Sequence, residues 1–304
     1  MAHSDTTLAG HRRIQRPPTG RRRTLPHMGS LSSDTQVHGG GGRYSATPLD
    51  AWRIWGPMGG YAASFALRAA ATEVGDTTMS PASMTVQFFQ PAAFEPVDIA
   101  VEVRRATRRT AATAVRITQE GRAILDAQAW FAVPDELVVH DHAIRHTAGD
   151  PDDHPDIVDL TDESAPFPFW DNFDQRVVYW DDDWSQRVAG SPEWSGWLRF
   201  RPDDRFDDPV VEACRLLILA DLPSFPAAVR AHDGSTTGSW VAPNVDLAVQ
   251  FHHLADLGDW LLCSGTAPVA ARGLIGFRSE VWTRDGRLAA SGSGQLITRA
   301  VPAS

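Results

Sequence analysis

The chain writes one strand twice. "PASMTVQFFQP" begins at Pro81 and "PNVDLAVQFHH" at Pro243, and each carries Val-Gln-Phe in an apolar run that starts from a proline. Val86 and Val249 stand 163 residues apart. A second landmark agrees: the turns "QEGR" (119–122) and "RDGR" (284–287) put Gly121 and Gly286 165 residues apart. A drift of two residues between the landmarks is a small insertion. A repeat this long is a duplicated unit rather than a solenoid period.

The text between the landmarks repeats in the same order. "GGYAASFALRAAATEV" (59–74) is alanine-rich, with Tyr61, Phe65 and Leu67 spaced as on a helix. Strand-like segments follow at 82–91, 96–107, 111–119 and 122–133. "DIAVEVR" alternates apolar and polar residues, as a half-buried antiparallel strand does. The second copy starts with a strand at 193–202 and a helix over 209–225, "PVVEACRLLILADLPSF". Strands follow at 243–253, 259–266, 269–283 and 287–299. Both helices are too apolar to leave a face in water, so each must be enclosed. The fold class predicted is α+β: two tandem β-α-β-β-β-β units, each an antiparallel sheet wrapped round one long helix. The divisions expected are a disordered arginine-rich tail (1–40), a first unit (41–134), an acidic proline-rich linker (135–190) and a second unit (191–304). The aromatic stretch "FPFWDNFDQRVVYW" within the linker is expected to pack on the body.

Charge narrows the function. The first 27 residues hold six arginines and one acid, and the remainder carries 22 bases against 37 acids. So acidic a body argues against nucleic acid as a partner. The tail has no apolar core for a secretory signal, prolines break any transit helix, and Met28 offers a second start. No apolar run is long enough to span a bilayer. Cys214 and Cys263 lie in apolar runs and read as buried free thiols, which suits a reducing cytoplasm. All 28 basic residues are arginine. Without lysine there is no Schiff-base chemistry and no phosphate loop of the Walker type. Chemistry is left to carboxylates, amides, hydroxyls, imidazoles and water.

In "GGYAASFALRAA", "VQFFQPA", "ADLPSF", "PNVDLAVQFHH" and "RGLIGFRSEVWTRDGRLAASGSGQ" the chain resembles the type II acyl-CoA thioesterase (TesB-like) family, over roughly residues 43–300. The resemblance implies a double hotdog fold, a role in lipid metabolism, acyl-CoA or another acyl thioester as partner, no cofactor and no metal. It also makes a homodimer an expectation. In that family an Asp on the second helix, a Thr on the next strand and a Gln on the last strand hold the attacking water. Those positions fall here on Asp221, Asn244 and Gln295, with Asn in place of Thr.

The residues themselves support the assignment in part. Asp221 sits in "LLILADLPSF", where burying a carboxylate is costly without a partner or a task, although an Asp at a helix end also serves as a cap. Gln295 follows a glycine-rich stretch in which Gly294 would allow close approach to substrate. Gly59 and Gly60 open the first helix and either cradle an anion or serve helix packing. Asp246 either contacts substrate or caps a turn. His252 and His253 are adjacent on a strand, point to opposite faces and do not form a metal pair. Arg104, Arg105, Arg108 and Arg109 are either a phosphate grip or a solvated strand end. Shifted by the repeat, Asn244 falls on Pro81, Ser293 on Gln128 and Gln295 on Trp130, so one active site per chain is expected, in the second copy. Two other readings stay open. One is a non-catalytic acyl-thioester binder. The other is a hotdog dehydratase or hydratase using "HGGGGRYSATP", where His38 and Gly42 fit but the proline comes one residue late.

Overall fold

The structure is a computed structural model that describes residues 29–161, 167–181, 183–236 and 238–301. The first part of the chain forms α1 (Leu31–Asp34), β1 (His38–Gly40), β2 (Arg43–Ala46), α2 (Gly59–Val74), β3 (Ser80–Phe88), β4 (Val97–Ala106), β5 (Thr110–Gln119) and β6 (Arg122–Ala132). Then come α3 (Ile157–Leu160) and β7 (Phe173–Val177). The second copy comprises β8 (Glu193–Phe200), α4 (Pro209–Asp221), α5 (Ser224–Arg230), β9 (Trp240–Val241), β10 (Asn244–Phe251), β11 (Leu261–Ala271), β12 (Leu274–Thr283), β13 (Leu288–Ile297) and β14 (Arg299–Ala300).

The duplicated strand explains the architecture. Twelve strands make one sheet in the order β1-β2-β4-β5-β6-β3-β10-β13-β12-β11-β8-β7. The two Val-Gln-Phe strands, β3 and β10, pair antiparallel at its centre, with Thr85 opposite Ala248. Those two residues are themselves one repeat apart, so a local two-fold axis passes between them. On either side the order mirrors, β6-β5-β4-β2 against β13-β12-β11-β8. This is the double hotdog arrangement.

The helices lie inside the curved sheet. α2 ends at Gly75, whose φ of +66° suits glycine. α4 starts on an Asp208 cap, with Pro209 in the first turn. All residues of α4 from Val211 to Asp221 are buried. The helices run antiparallel: Gly60 meets Ile218, Ser64 meets Cys214, and Arg68 meets Asp208. A side chain at Gly60 would stand 2.8 Å from the Ile218 Cα, so this glycine sets how closely the helices approach.

Four readings need correction. Residues 29–40 are no tail. Leu31 is buried, and the Trp52 indole donates to Asp34 at 2.9 Å. A few long-range anchors order this segment without any periodic pattern. The segment 1–28 lies outside the described residues. The stretch 135–190 is more than a linker, because β7 pairs with β8, and His146 packs against Trp197 and Trp282 on the outer face of the second copy's half of the sheet. The helix over 209–225 breaks in two at Leu222–Pro223, since proline cannot donate to the preceding turn. Strands 259–266 and 269–283 are divided elsewhere: β11 runs through Pro268 at a bulge, and the turn is Arg272-Gly273, both at positive φ. Among the described residues no helix is long and apolar enough to cross a membrane.

Candidate active site

The break at Pro223 leaves Asp221 in the last turn of α4, opposite the first turn of α2. The first turn of any α-helix has N–H groups without intrahelical acceptors, and α2 has no capping side chain of its own at Met58. Asp221 fills that role from the other helix. Its Oδ2 accepts from the Gly60 N–H at 2.7 Å. Its Oδ1 accepts from the Asn244 Nδ2, the amide of the first residue of β10. Only 6% of Asp221 is exposed. Burial pushes its pKa up from 3.8 to about 6, against the opposing pull of the Gly60 and Asn244 hydrogen bonds. A carboxylate with that pKa, with lone pairs to spare beyond two amide donors, can take a proton from water near neutral pH.

Gly59 belongs to the same spot. A Cβ there would lie 2.8 Å from the Asp221 Oδ2 and 3.4 Å from the Phe88 ring. Aromatic rings continue outward: Trp55 meets Phe225 edge-on at 5.0 Å, and Phe225 meets Trp240 at 5.4 Å. A hollow of about 280 Å³ is lined by Trp55 and Gly56 together with residues 90–94, Gln119, Arg122 and Ile124. The site therefore takes its acid and amide from the second copy, its helix terminus from the first, and rings from both.

Gln295 does not join them. Along β13, Gly292 faces α4, where a Cβ would sit 3.5 Å from that of Ala220. Gly294 and Leu296 share that inner side, and Asn244 pairs opposite Leu296. Gln295 therefore points to the outer, exposed side of the sheet. Its repeat counterpart Trp130 is likewise outward, 45% exposed. Asp246 lies opposite Gln295 and accepts its backbone N–H at 2.8 Å, beside a bulge in β10. That is a structural task on the far face. Gly294 is on the inner side, but a Cβ there would be 2.8 Å from the Phe277 ring, so packing accounts for it. Of the residues proposed from sequence, Asp221, Asn244, Gly59 and Gly60 come together, and Gln295, Asp246 and Gly294 do not join them.

The remaining candidates disperse. The Gly42 N–H and the Tyr44 hydroxyl bind Glu73, at the far end of α2 from Gly60. The "HGGGG" turn is thus about 20 Å from Asp221 at 1.5 Å per helical residue. The arginines at 104–109 sit at the β4–β5 turn, the opposite end of β4 from the loop beside Phe88. Among the described residues no group of three His, Cys, Asp or Glu side chains is placed to hold a metal ion. Sequence reading passed over Ser224, whose hydroxyl lies 2.8 Å from the Asp221 carbonyl and 3.5 Å from the Asn244 Oδ1. The proline before it signals the helix break but nothing of the serine's partners.

Comparison with known proteins agrees with this architecture. The family model of the acyl-CoA thioesterase N-terminal domain matches residues 49–132, and that of the acyl-CoA thioesterase C-terminal domain matches 148–297. No curated protein matches the sequence. Among solved structures, a hot dog fold protein of unknown function from Alicyclobacillus acidocaldarius is similar at 22% identity and a TM-score of 0.75, over 90% of this chain and 98% of that one. An acyl-CoA thioesterase II from Mycobacterium marinum is similar at 22% identity and 0.72, over 90% and 99%. A tesB protein from Mycobacterium avium is similar at 20% identity and 0.70, over 88% and 98%.

Proposed function

Because the chain belongs to the acyl-CoA thioesterase family and is a thioester hydrolase, we propose that it converts an acyl-CoA and water to the free acid and coenzyme A, with Asp221 as base and Asn244 as second holder of the water. The observation that carries this is the buried Asp221 carboxylate, bound by two amides and pushed up to about 6.

The steps follow from the donors and acceptors. The Asn244 Nδ2 is committed to Asp221, and its Oδ1, which the Ser224 hydroxyl reaches only at 3.5 Å, has a lone pair left to accept a water hydrogen. Asp221 takes the other hydrogen as the water oxygen bonds to the thioester carbonyl carbon. The carbonyl oxygen becomes an oxyanion. The first-turn N–H groups of α2 at Gly59 and Tyr61, beside the one that Asp221 occupies, are the donors that would meet it. When the tetrahedral adduct collapses, the carbon–sulfur bond breaks and the Asp221 proton passes to the departing thiolate. No metal or cofactor enters this scheme. The Trp55, Phe225 and Phe88 rings supply apolar surface beside the reacting carbon. Two buried free thiols support a reducing compartment, and we place the enzyme in the cytoplasm, in fatty-acyl metabolism.

Free-thiol release from a panel of acyl-CoA substrates tests the proposal. Wild type is expected to release thiol from at least one member, and Asp221→Asn to do so about a thousand-fold more slowly. Equal release by both would overturn it.

A further inference from the structure

The inner face of β13 offers glycine where a third water-holding side chain was expected, and the geometry points to Ser224 in that role. We propose that the Ser224 Oγ, with the Asn244 Oδ1, receives the water hydrogen that Asp221 does not take; the inference rests on the hydrolytic reading above.

Ser224 is the first residue of α5, just past the break at Pro223, and is buried. Its hydroxyl has one hydrogen and two acceptors in reach. The nearer is the Asp221 carbonyl at 2.8 Å, exposed by the end of α4. The other is the Asn244 Oδ1 at 3.5 Å, at the limit of a hydrogen bond. With the hydrogen given to the carbonyl, a serine lone pair faces the asparagine oxygen. That oxygen is an acceptor too, because the Asn244 Nδ2 is turned to Asp221. Two facing acceptors cannot satisfy each other, and a hydrogen directed into the gap between them can. A water beside Asp221 supplies it: one hydrogen goes to the carboxylate, the other is shared between Asn244 and Ser224. Both hydrogens are then fixed, and a water lone pair is left for the carbonyl carbon. The first copy has no equivalent. Its long helix has no such break, and Pro81 stands where Asn244 would.

The test compares Ser224→Ala, Ser224→Thr and Asp221→Asn on one acyl-CoA, with kcat, KM and melting temperature measured for each. Misplacing a reacting group costs up to about a hundred-fold. Ser224→Ala is therefore expected to lower kcat by ten-fold to about a hundred-fold with KM and the binding of a thioether analogue unchanged. Ser224→Thr, which keeps an Oγ, restores most of kcat. If alanine does not fold, Ser224→Gly and Ser224→Thr carry the same comparison. An alanine variant within two-fold of wild type, or a threonine variant no better than alanine, overturns the assignment while Asp221→Asn stays about a thousand-fold slower. Full activity of Asp221→Asn instead removes the hydrolytic reading, and this inference with it.

Discussion

The two ends of the α2–α4 pair are built alike and do different things. At one end the N-terminus of α4 is capped by its own Asp208, which accepts from the Val210 N–H at 2.8 Å and pairs with Arg68 at 3.1 Å. That aspartate is half exposed and fully explained by capping and charge. At the other end the N-terminus of α2 borrows Asp221 from its neighbour. Here the carboxylate is buried, and its named partners are amides. The same residue type at the same kind of helix terminus is structural in one place and chemically poised in the other. Burial and the nature of the partner make the difference. Duplication permits this, because only one end needs to keep the chemistry.

Exchanging the acids breaks the comparison most sharply. Asp221→Asn is expected to cut kcat by about a thousand-fold, within the usual range for a general base. Asp208→Asn should leave kcat within two-fold in the same assay. The wild-type kcat/KM should rise with pH through a midpoint near 6, as Asp221 ionises, and Asp208→Asn should keep that midpoint. Stability moves the opposite way. The folded pKa lies above the unfolded one, so the fold holds more protons between pH 3.8 and about 6. Stability from this group is full below 3.8 and is lost as pH rises through 6, by roughly 3 kcal/mol. Chemical denaturation at several pH values should show that decline, flattened in Asp221→Asn.

Gly59→Ala probes the shared terminus. Its Cβ would strike the Asp221 carboxylate, and a displacement of that kind should lower kcat/KM by about a hundred-fold. A smaller effect belongs to the structural end: Asp208→Ala loses a cap worth about 1 kcal/mol, read as a lower melting temperature with activity retained. Smallest of all are Gln295→Ala and, in the first copy, Gln128→Ala. Both side chains are on the outer face, and turnover should stay within two-fold.

The repeat and the helix 59–74 could be read directly, because Val-Gln-Phe and the Gly-Arg turns are landmarks and the apolar pattern between them is strong. Asp221 stood out as an ionisable group inside an apolar run. Gln295 was misjudged for a reason specific to strands: successive residues face opposite sides, so a slip of one position reverses the face. "SGSGQ" has no large apolar residues before Leu296 to set the phase. Pro268 looked like a strand end and is a bulge. Ser224 could not have been singled out, since its partners are a backbone carbonyl and an asparagine twenty residues on. Residues 29–40 are held by single contacts such as Trp52 to Asp34, which leave no periodic mark.

The asymmetry between the two helix ends is tested most directly by counting sites. Calorimetric titration with a non-hydrolysable thioether analogue of the best acyl-CoA substrate should show one molecule bound per chain. Two equal sites per chain would mean that both ends accept substrate, and the division of labour drawn here would be wrong.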